Sequence, residues 1–179
     1  MRNDSHIHSH KARAFSLAEM LIVVLIISIA AAILAPNLGS TDALRVQGAV
    51  RTIVSDIAVA QSDAIAMQKK RGIRFIATPQ ESAYSMSSVT GADFDAQNPH
   101  ATGVRIDGAR FGHARFGTQT FSSGTLVFDE LGSPVNLADG NAAASQYIEV
   151  VGPRQTYRIT VEAFTGRCTV ALVHDLDGP

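Results

Sequence analysis

Glu19 is the one charged residue inside the longest apolar run of the chain, FSLAEMLIVVLIISIAAAILA from Phe15 to Ala35. A carboxylate there costs roughly 2.5–3.5 kcal/mol on insertion scales at mid-helix, and less near an interface. It therefore needs a cation, or a position at the hydrated edge of the membrane. Arg105, Arg110 and Arg115 form the second candidate, with Phe111 and Phe116 between them. Guanidinium groups mixed with aromatic rings can hold single-stranded nucleic acid. Asp107 dilutes this patch, and a solvated strand face is weighed above nucleic-acid contact. His6, His8 and His10 alternate and could meet a metal if extended, but His113 and His174 have no metal-like neighbours in sequence. Cys168 is the sole cysteine and sits in a strand pattern, where a small buried hydrophobe is the simpler reading. No G-x-S-x-G, H-E-x-x-H or phosphate-cradling loop is present, and the acidic residues form no readable pair. No enzyme activity, metal or cofactor is expected.

The bulk numbers allow one domain with a real core. Of 179 residues, 46% are hydrophobic and 17% charged, a globular rather than a disordered balance. The net charge of -1 gives no overall pull toward nucleic acid. One cysteine excludes an internal disulfide, so the fold must stand on packing.

The elements that position these residues fall in order along the chain. Residues 1–14, with Arg2, Lys11 and Arg13, read as a polar and basic leader. Residues 15–36 read as an apolar helix of membrane-spanning length, since about 20 helical residues cross a hydrocarbon core. The basic N-terminal flank orients it with that end in the cytoplasm. A cleavable export signal is the rival reading, with Ala30-Ala31-Ala32 as its cutting site, but the run is long for a signal core and such a signal has no use for Glu19. Pro36, followed by Asn37, Gly39 and Ser40, implies a bend or simply the end of that helix.

Residues 37–72 read as an amphipathic helix, whose body runs from Thr41 to Arg71. Val46, Val50, Ile53, Val54, Ile57, Gln61, Ala64, Ile65 and Gln68 share one face, and Arg51, Ser55, Asp56, Ser62 and Asp63 fall largely on the other. Lys69, Lys70 and Arg71 suit a last turn, with Gly72 as its stop.

Residues 73–173 read as an all-β head of six to eight short strands packed on that helix, and 174–179 as a frayed tail. Strands are expected at 73–76, 83–86, 104–106, 110–116, 125–128, 147–151, 156–162 and 167–172, with a loop across 89–101 and a turn at Thr165-Gly166. The fold class is α+β.

Ala14-Phe15-Ser16-Leu17-Ala18-Glu19 followed by a long apolar helix resembles the leader of type IV pilins and type II secretion pseudopilins. Where that family usually carries Gly before the cut, this chain carries Ala14. The resemblance implies cleavage by a prepilin peptidase between Ala14 and Phe15, followed by N-methylation of Phe15. Glu19 becomes the fifth mature residue and Pro36 the twenty-second, a place where many family members carry a helix-bending Pro. It further implies a structural subunit of the bacterial inner membrane, a single-pass protein with an exported head. Its partners would be other pilin or pseudopilin subunits, the peptidase and methyltransferase, an inner-membrane assembly platform and lipid. Without the leader the chain counts 12 basic against 15 acidic side chains, a net of -3.

Ser62-Asp63-Ala64-Ile65-Ala66, the segment from Leu126 to Val135 and the hairpin at Thr165-Gly166-Arg167 are similar to the minor pseudopilin H branch, the GspH/FimT-like proteins. A filament-tip head that binds DNA or a surface is the alternative function, and a membrane-tethered enzyme the third.

Overall fold

The computed structural model describes residues 16–34, 40–95 and 101–175. Ala14, Phe15, Pro36, the leader histidines and the last four residues lie outside that range. The chain divides into two compact units, residues 1–38 and 39–179.

The first unit holds α1 (Leu17–Leu34), 18 residues long. Ser16 starts it: its hydroxyl accepts from the Ala18 N–H at 3.3 Å and its carbonyl from the Met20 N–H at 3.2 Å. Both bonds satisfy donors that a helix start leaves orphaned. Ser28 donates its hydroxyl to the Val24 carbonyl at 2.7 Å, so it adds no unmet polarity. Apolar side chains stand on every side of the helix, from Leu17 and Met20 to Ile29. Its length is about 27 Å, slightly less than a hydrocarbon core of roughly 30 Å. Among the described residues no helix is long and apolar enough to cross a membrane.

The second unit begins with α2 (Ser40–Met67). Val46, Ala49, Val50, Ile53, Ile57, Ala60 and Ala64 are buried at steps of three and four, the stripe expected of one helix face. Each buried Val or Ile contributes about 1.5–3 kcal/mol relative to exposure. Ile65 and Gln68, read from spacing as part of that face, are exposed at its margin, and Asp56, read as wet, is half-buried. The helix stops four residues before the expected Arg71. Gln68 adopts a left-handed φ of 49°. The Lys69 N–H reaches the Ala64 carbonyl at 3.2 Å and the Gln68 N–H the Ile65 carbonyl at 3.4 Å, the bond pair of a Schellman turn. The Gln68 amide donates to the carbonyls of Ile65 and Glu130, which holds the turn without a glycine. Gly72 is no stop. It lies inside a strand, where a Cβ would come 2.8 Å from Val89.

Ten strands follow among the described residues, more than the six to eight expected. β1 (Arg71–Ala77), β2 (Ser82–Thr90), β3 (Asp93–Phe94), β4 (Ala101–Arg105), β6 (Thr125–Phe128) and β7 (Pro134–Val135) form one sheet. Its order is β3-β2-β1-β6-β7, with β4 also on β2. β5 (Arg115–Gln119), β8 (Gln146–Val151), β9 (Gln155–Val161) and β10 (Cys168–Asp175) form the other, in order β10-β9-β8-β5. All pairings are antiparallel.

The α2 stripe packs into one core with Ile73, Phe75, Tyr84, Leu126, Phe128, Ile148, Val150, Ile159 and Val161. Phe75 stacks on Phe121 at 5.2 Å and meets Phe116 edge-on at 5.4 Å. A smaller cluster of Val89, Phe94, Val127, Val135 and Leu137 gathers separately. β6 contributes Leu126 and Phe128 to the first cluster and Val127 to the second, and with Thr125 all four of its residues are buried.

Several stretches differ from expectation: β7 was not foreseen, and β10 runs to Asp175, into the expected tail, because His174 and Asp175 still pair with Thr156 and Gln155. Within the supposed loop 89–101, β2 continues to Thr90, β3 follows, and β4 starts at Ala101. Burial of Phe94 supplies the anchor that a composition of Gly, Asp and Asn did not announce. Within 110–116, Ala109–Phe111 form a 3-10 turn and only Arg115 and Phe116 are strand. His113, with φ 56°, breaks the extended run between them.

Candidate functional site

Glu19 lies in the first turn of α1, exposed, and it makes no hydrogen bond or ion pair among the described residues. An acid in the first turn suits the positive end of the helix. The hydroxyls of Ser16 and Ser28 are satisfied by local bonds, so the polar chemistry of α1 reduces to this one carboxylate. Ala14 and Phe15, the expected processing pair, and Pro36, the expected bend, fall outside the described residues.

The second unit gathers its own polar cluster where α2 ends. Gln61 leaves the apolar stripe and donates its amide to two carbonyls, Gly132 and Thr165, each at 2.8 Å. Asp129 folds the first of those loops: its carboxylate accepts from the Leu131 N–H at 3.0 Å and the Ser133 N–H at 2.7 Å. Ser133 then donates to the Phe164 carbonyl at 2.7 Å and joins the two loops. The three segments noted as loose sequence cues, around Ser62, Leu126–Val135 and Thr165-Gly166, thus meet at one place. Reading along the sequence missed the part played by Gln61. Its only signal was an amide on a mainly apolar face.

A second polar bond was also missed. Tyr84, among the most buried side chains, donates its hydroxyl to Asp56 on α2 at 2.5 Å. Burial, with this carboxylate acceptor adding to it, raises the phenol well above its ordinary range.

The three arginines do not act as a set. Arg105 donates to both carboxylate oxygens of Asp107, at 3.2 and 2.9 Å. The side-chain bond to Arg105 holds the Asp107 carboxyl below its usual range. Their i,i+2 spacing in an extended segment was the available signal. Arg105 and Arg115 border an open depression of about 500 Å³ that also holds Glu81, Asp107 and His113. The two acids offset the two arginines there. Arg110 is not part of that depression and lies 5.0 Å from the centre of the Phe111 ring. Phe111 and Phe116 are buried in the core, so neither ring is open to stack on a base.

Cys168 is half-buried against the core, and its thiol lies 3.9 Å from the Gly166 carbonyl. Burial pushes the thiol up to about 11 from 9.0. The fold therefore favours the protonated form, and the stability it contributes is present below about pH 9 and lost as pH rises toward 11. Alkylation of the native protein is expected to be slow at pH 8 and to accelerate about tenfold per pH unit until near 11. A half-maximal rate near pH 9, as for the urea-unfolded chain, would contradict this placement of the thiol. Among the described residues no group of three or more His, Cys, Asp and Glu is positioned to hold a metal.

Residues 9–35 match the prokaryotic N-terminal methylation motif, a span that includes Ala14, Phe15 and Glu19. No curated protein matches the chain in sequence. Among solved structures, the type IV minor pilin FimU of Pseudomonas aeruginosa matches with a TM-score of 0.56 at 13% identity. The match covers 76% of this chain and 98% of that one. The minor pseudopilin EpsH of the Vibrio cholerae type 2 secretion system matches at 12% identity, over 73% of this chain and 97% of that one. Its TM-score of 0.46 is too low to carry an argument. At such identities the likeness to FimU is one of fold, which in the second unit of this chain is α2 packed on antiparallel sheets. The chain thus carries the prokaryotic N-terminal methylation motif near its N-terminus, and its fold is similar to that of the minor pilin FimU.

Proposed function

We propose that the chain is a minor structural subunit of a type IV pilus or type II secretion pseudopilus, without catalytic activity of its own. It inserts as a single-pass precursor with residues 1–14 in the cytoplasm and the head exported. The apolar run 15–35 comprises 21 residues, about 31 Å as a helix, which suits a bilayer core. Prepilin peptidase cuts between Ala14 and Phe15, the new amine of Phe15 is methylated, and the subunit is passed to the filament by the inner-membrane assembly platform.

The observation that carries this reading is the solitary carboxylate of α1 inside a matched methylation motif. Cleavage creates a cation four residues before Glu19. In a low-dielectric setting a carboxylate and an ammonium attract far more strongly than in water. A Glu19 paired with the amine of an incoming subunit relieves the cost of holding an acid in lipid and sets the axial register of the stack.

Intact mass of the protein from membranes of cells with and without prepilin peptidase tests the scheme. The expected product is residues 15–179 carrying one added methyl group, seen only when the peptidase is present. An uncut chain in both strains would leave an ordinary anchored protein. A cut near Ala32 would make the head a released soluble domain.

The arginines give less to a DNA-binding tip. Arg105 is engaged by Asp107, and the aromatic rings beside the three cations are buried.

A further inference from the structure

The core of the head thins out along one margin. β10 is the last strand of its sheet, and among the described residues β9 alone pairs with it. The register sets Cys168 opposite Val161, Val170 opposite Ile159 and Leu172 opposite Tyr157. Directly opposed residues share a face, so Cys168, Val170 and Leu172 extend the core-facing side of β9. Ile159 and Val161 are fully buried there, whereas Val170 and Leu172, one strand further out, are 47% and 49% exposed.

Between this margin and α2 opens an apolar groove of about 470 Å³, walled by Val50 and Val54 on the helix and by Tyr157 and Val170 on the sheet. One flank is polar: the Gln47 amide donates to the Tyr157 hydroxyl at 3.0 Å, which donates to Gln155 at 2.7 Å. Arg51 borders the groove, exposed, and has no ion pair or hydrogen bond among the described residues.

The edge itself is open to pairing. β10 has eight residues, against two in β7 and five in β5, which end the other sheet and the far side of this one. Edge strands are commonly blunted by shortness, Pro, Lys or a bulge. β10 has neither Pro nor Lys, and its bulge falls late, between Leu172 and His174. That leaves Cys168–Leu172 regular. An unpaired row of N–H and C=O groups is a demand that a helix cannot meet, because its own backbone groups are already bonded.

We propose that this margin is a strand-addition site for an extended polypeptide segment of a partner. The segment pairs with the free edge of β10 and seats an apolar side chain between Val54 and Val170. It sets a carboxylate against Arg51. Backbone bonds supply affinity in this mode, and the groove and the cation supply specificity. The surface lies wholly within the 39–179 unit, so it is independent of how the N-terminus is processed.

The test is selection of the full-length protein, in detergent micelles, against a displayed library of random octapeptides. Enriched peptides are expected to alternate apolar residues and to carry Asp or Glu. Binding of their synthetic versions should fall about tenfold or more with Val170→Asp or Val54→Asp. Arg51→Glu should reverse the preference for acid. N-methylation of the peptide amides that face β10 should abolish binding to the unaltered protein, while N-methylation of the alternate amides should not. That comparison needs no protein variant and is immune to misfolding. No enriched class, or binding indifferent to N-methylation, would overturn the proposal. So would selection of aliphatic peptides that ignore both Val170→Asp and Arg51→Glu.

Discussion

Glu19→Ala is expected to insert into the membrane at least as well as the unaltered chain, and to be all but missing from filaments. Removing a carboxylate from an apolar helix lowers the cost of insertion, so a loss at that stage is not anticipated. The loss comes at docking, where the amine left at Phe15 has no counter-ion. Truncating one partner of a buried charge pair costs about 2–5 kcal/mol. That corresponds to roughly 30- to 5,000-fold weaker association. Quantitative immunoblots of sheared filament and membrane fractions separate the two stages. Glu19→Gln keeps a hydrogen-bond acceptor without charge and should fall between the two. Normal incorporation of Glu19→Ala would remove the register-pairing scheme.

The second large effect concerns the loop cluster at the end of α2. Gly166 and Gly91 have nearly the same left-handed backbone, φ +64° and +63°. Their surroundings differ completely. A Cβ on Gly91 meets no heavy atom within 4 Å. On Gly166 it would lie 2.5 Å from the Gln61 amide nitrogen, 2.9 Å from the Phe128 ring and 3.0 Å from the Gly132 carbonyl. Alanine at either position carries the backbone penalty of about 1–2 kcal/mol. Only Gly166→Ala adds overpacking, about 1–3 kcal/mol more, because it must displace the amide that joins the two loops. Urea unfolding should therefore show a loss of about 1–2 kcal/mol for Gly91→Ala and about 2–5 kcal/mol for Gly166→Ala. Equal losses would mean that the Gln61 bonds are soft and the cluster yields freely.

How much of this was readable in advance follows from the range of the interactions. The α2 stripe and the strand runs of β8 and β9 were legible because each is a local pattern with one face turned to the core. The helix end was not. A glutamine in the left-handed region depends on the Glu130 carbonyl, which is distant in sequence. β3 was hidden because two residues carry no periodicity, and only the burial of Phe94 reveals what holds them. In the candidate site, Glu19 stood out against its apolar background. The arginines looked like a set because their spacing was visible, while the burial of Phe111 and Phe116 was not. Gln61 and the Tyr84–Asp56 bond depended on tertiary neighbours that spacing alone does not reveal.

The pairing of β1 with β6 has a consequence in time. Arg71–Arg74 face Thr125–Phe128, and the α2 stripe is finally enclosed by Ile148, Val150, Ile159 and Val161. Any process that delivers the chain N-terminus first, whether at the ribosome or through a translocon, presents the sticky face of α2 long before its cover arrives. The intervening polypeptide has to be held apart from its neighbours until the last hairpin emerges. Closure of the head is thereby tied to completion of delivery, and a stalled or truncated chain would expose an adhesive helix instead of a smaller, finished domain.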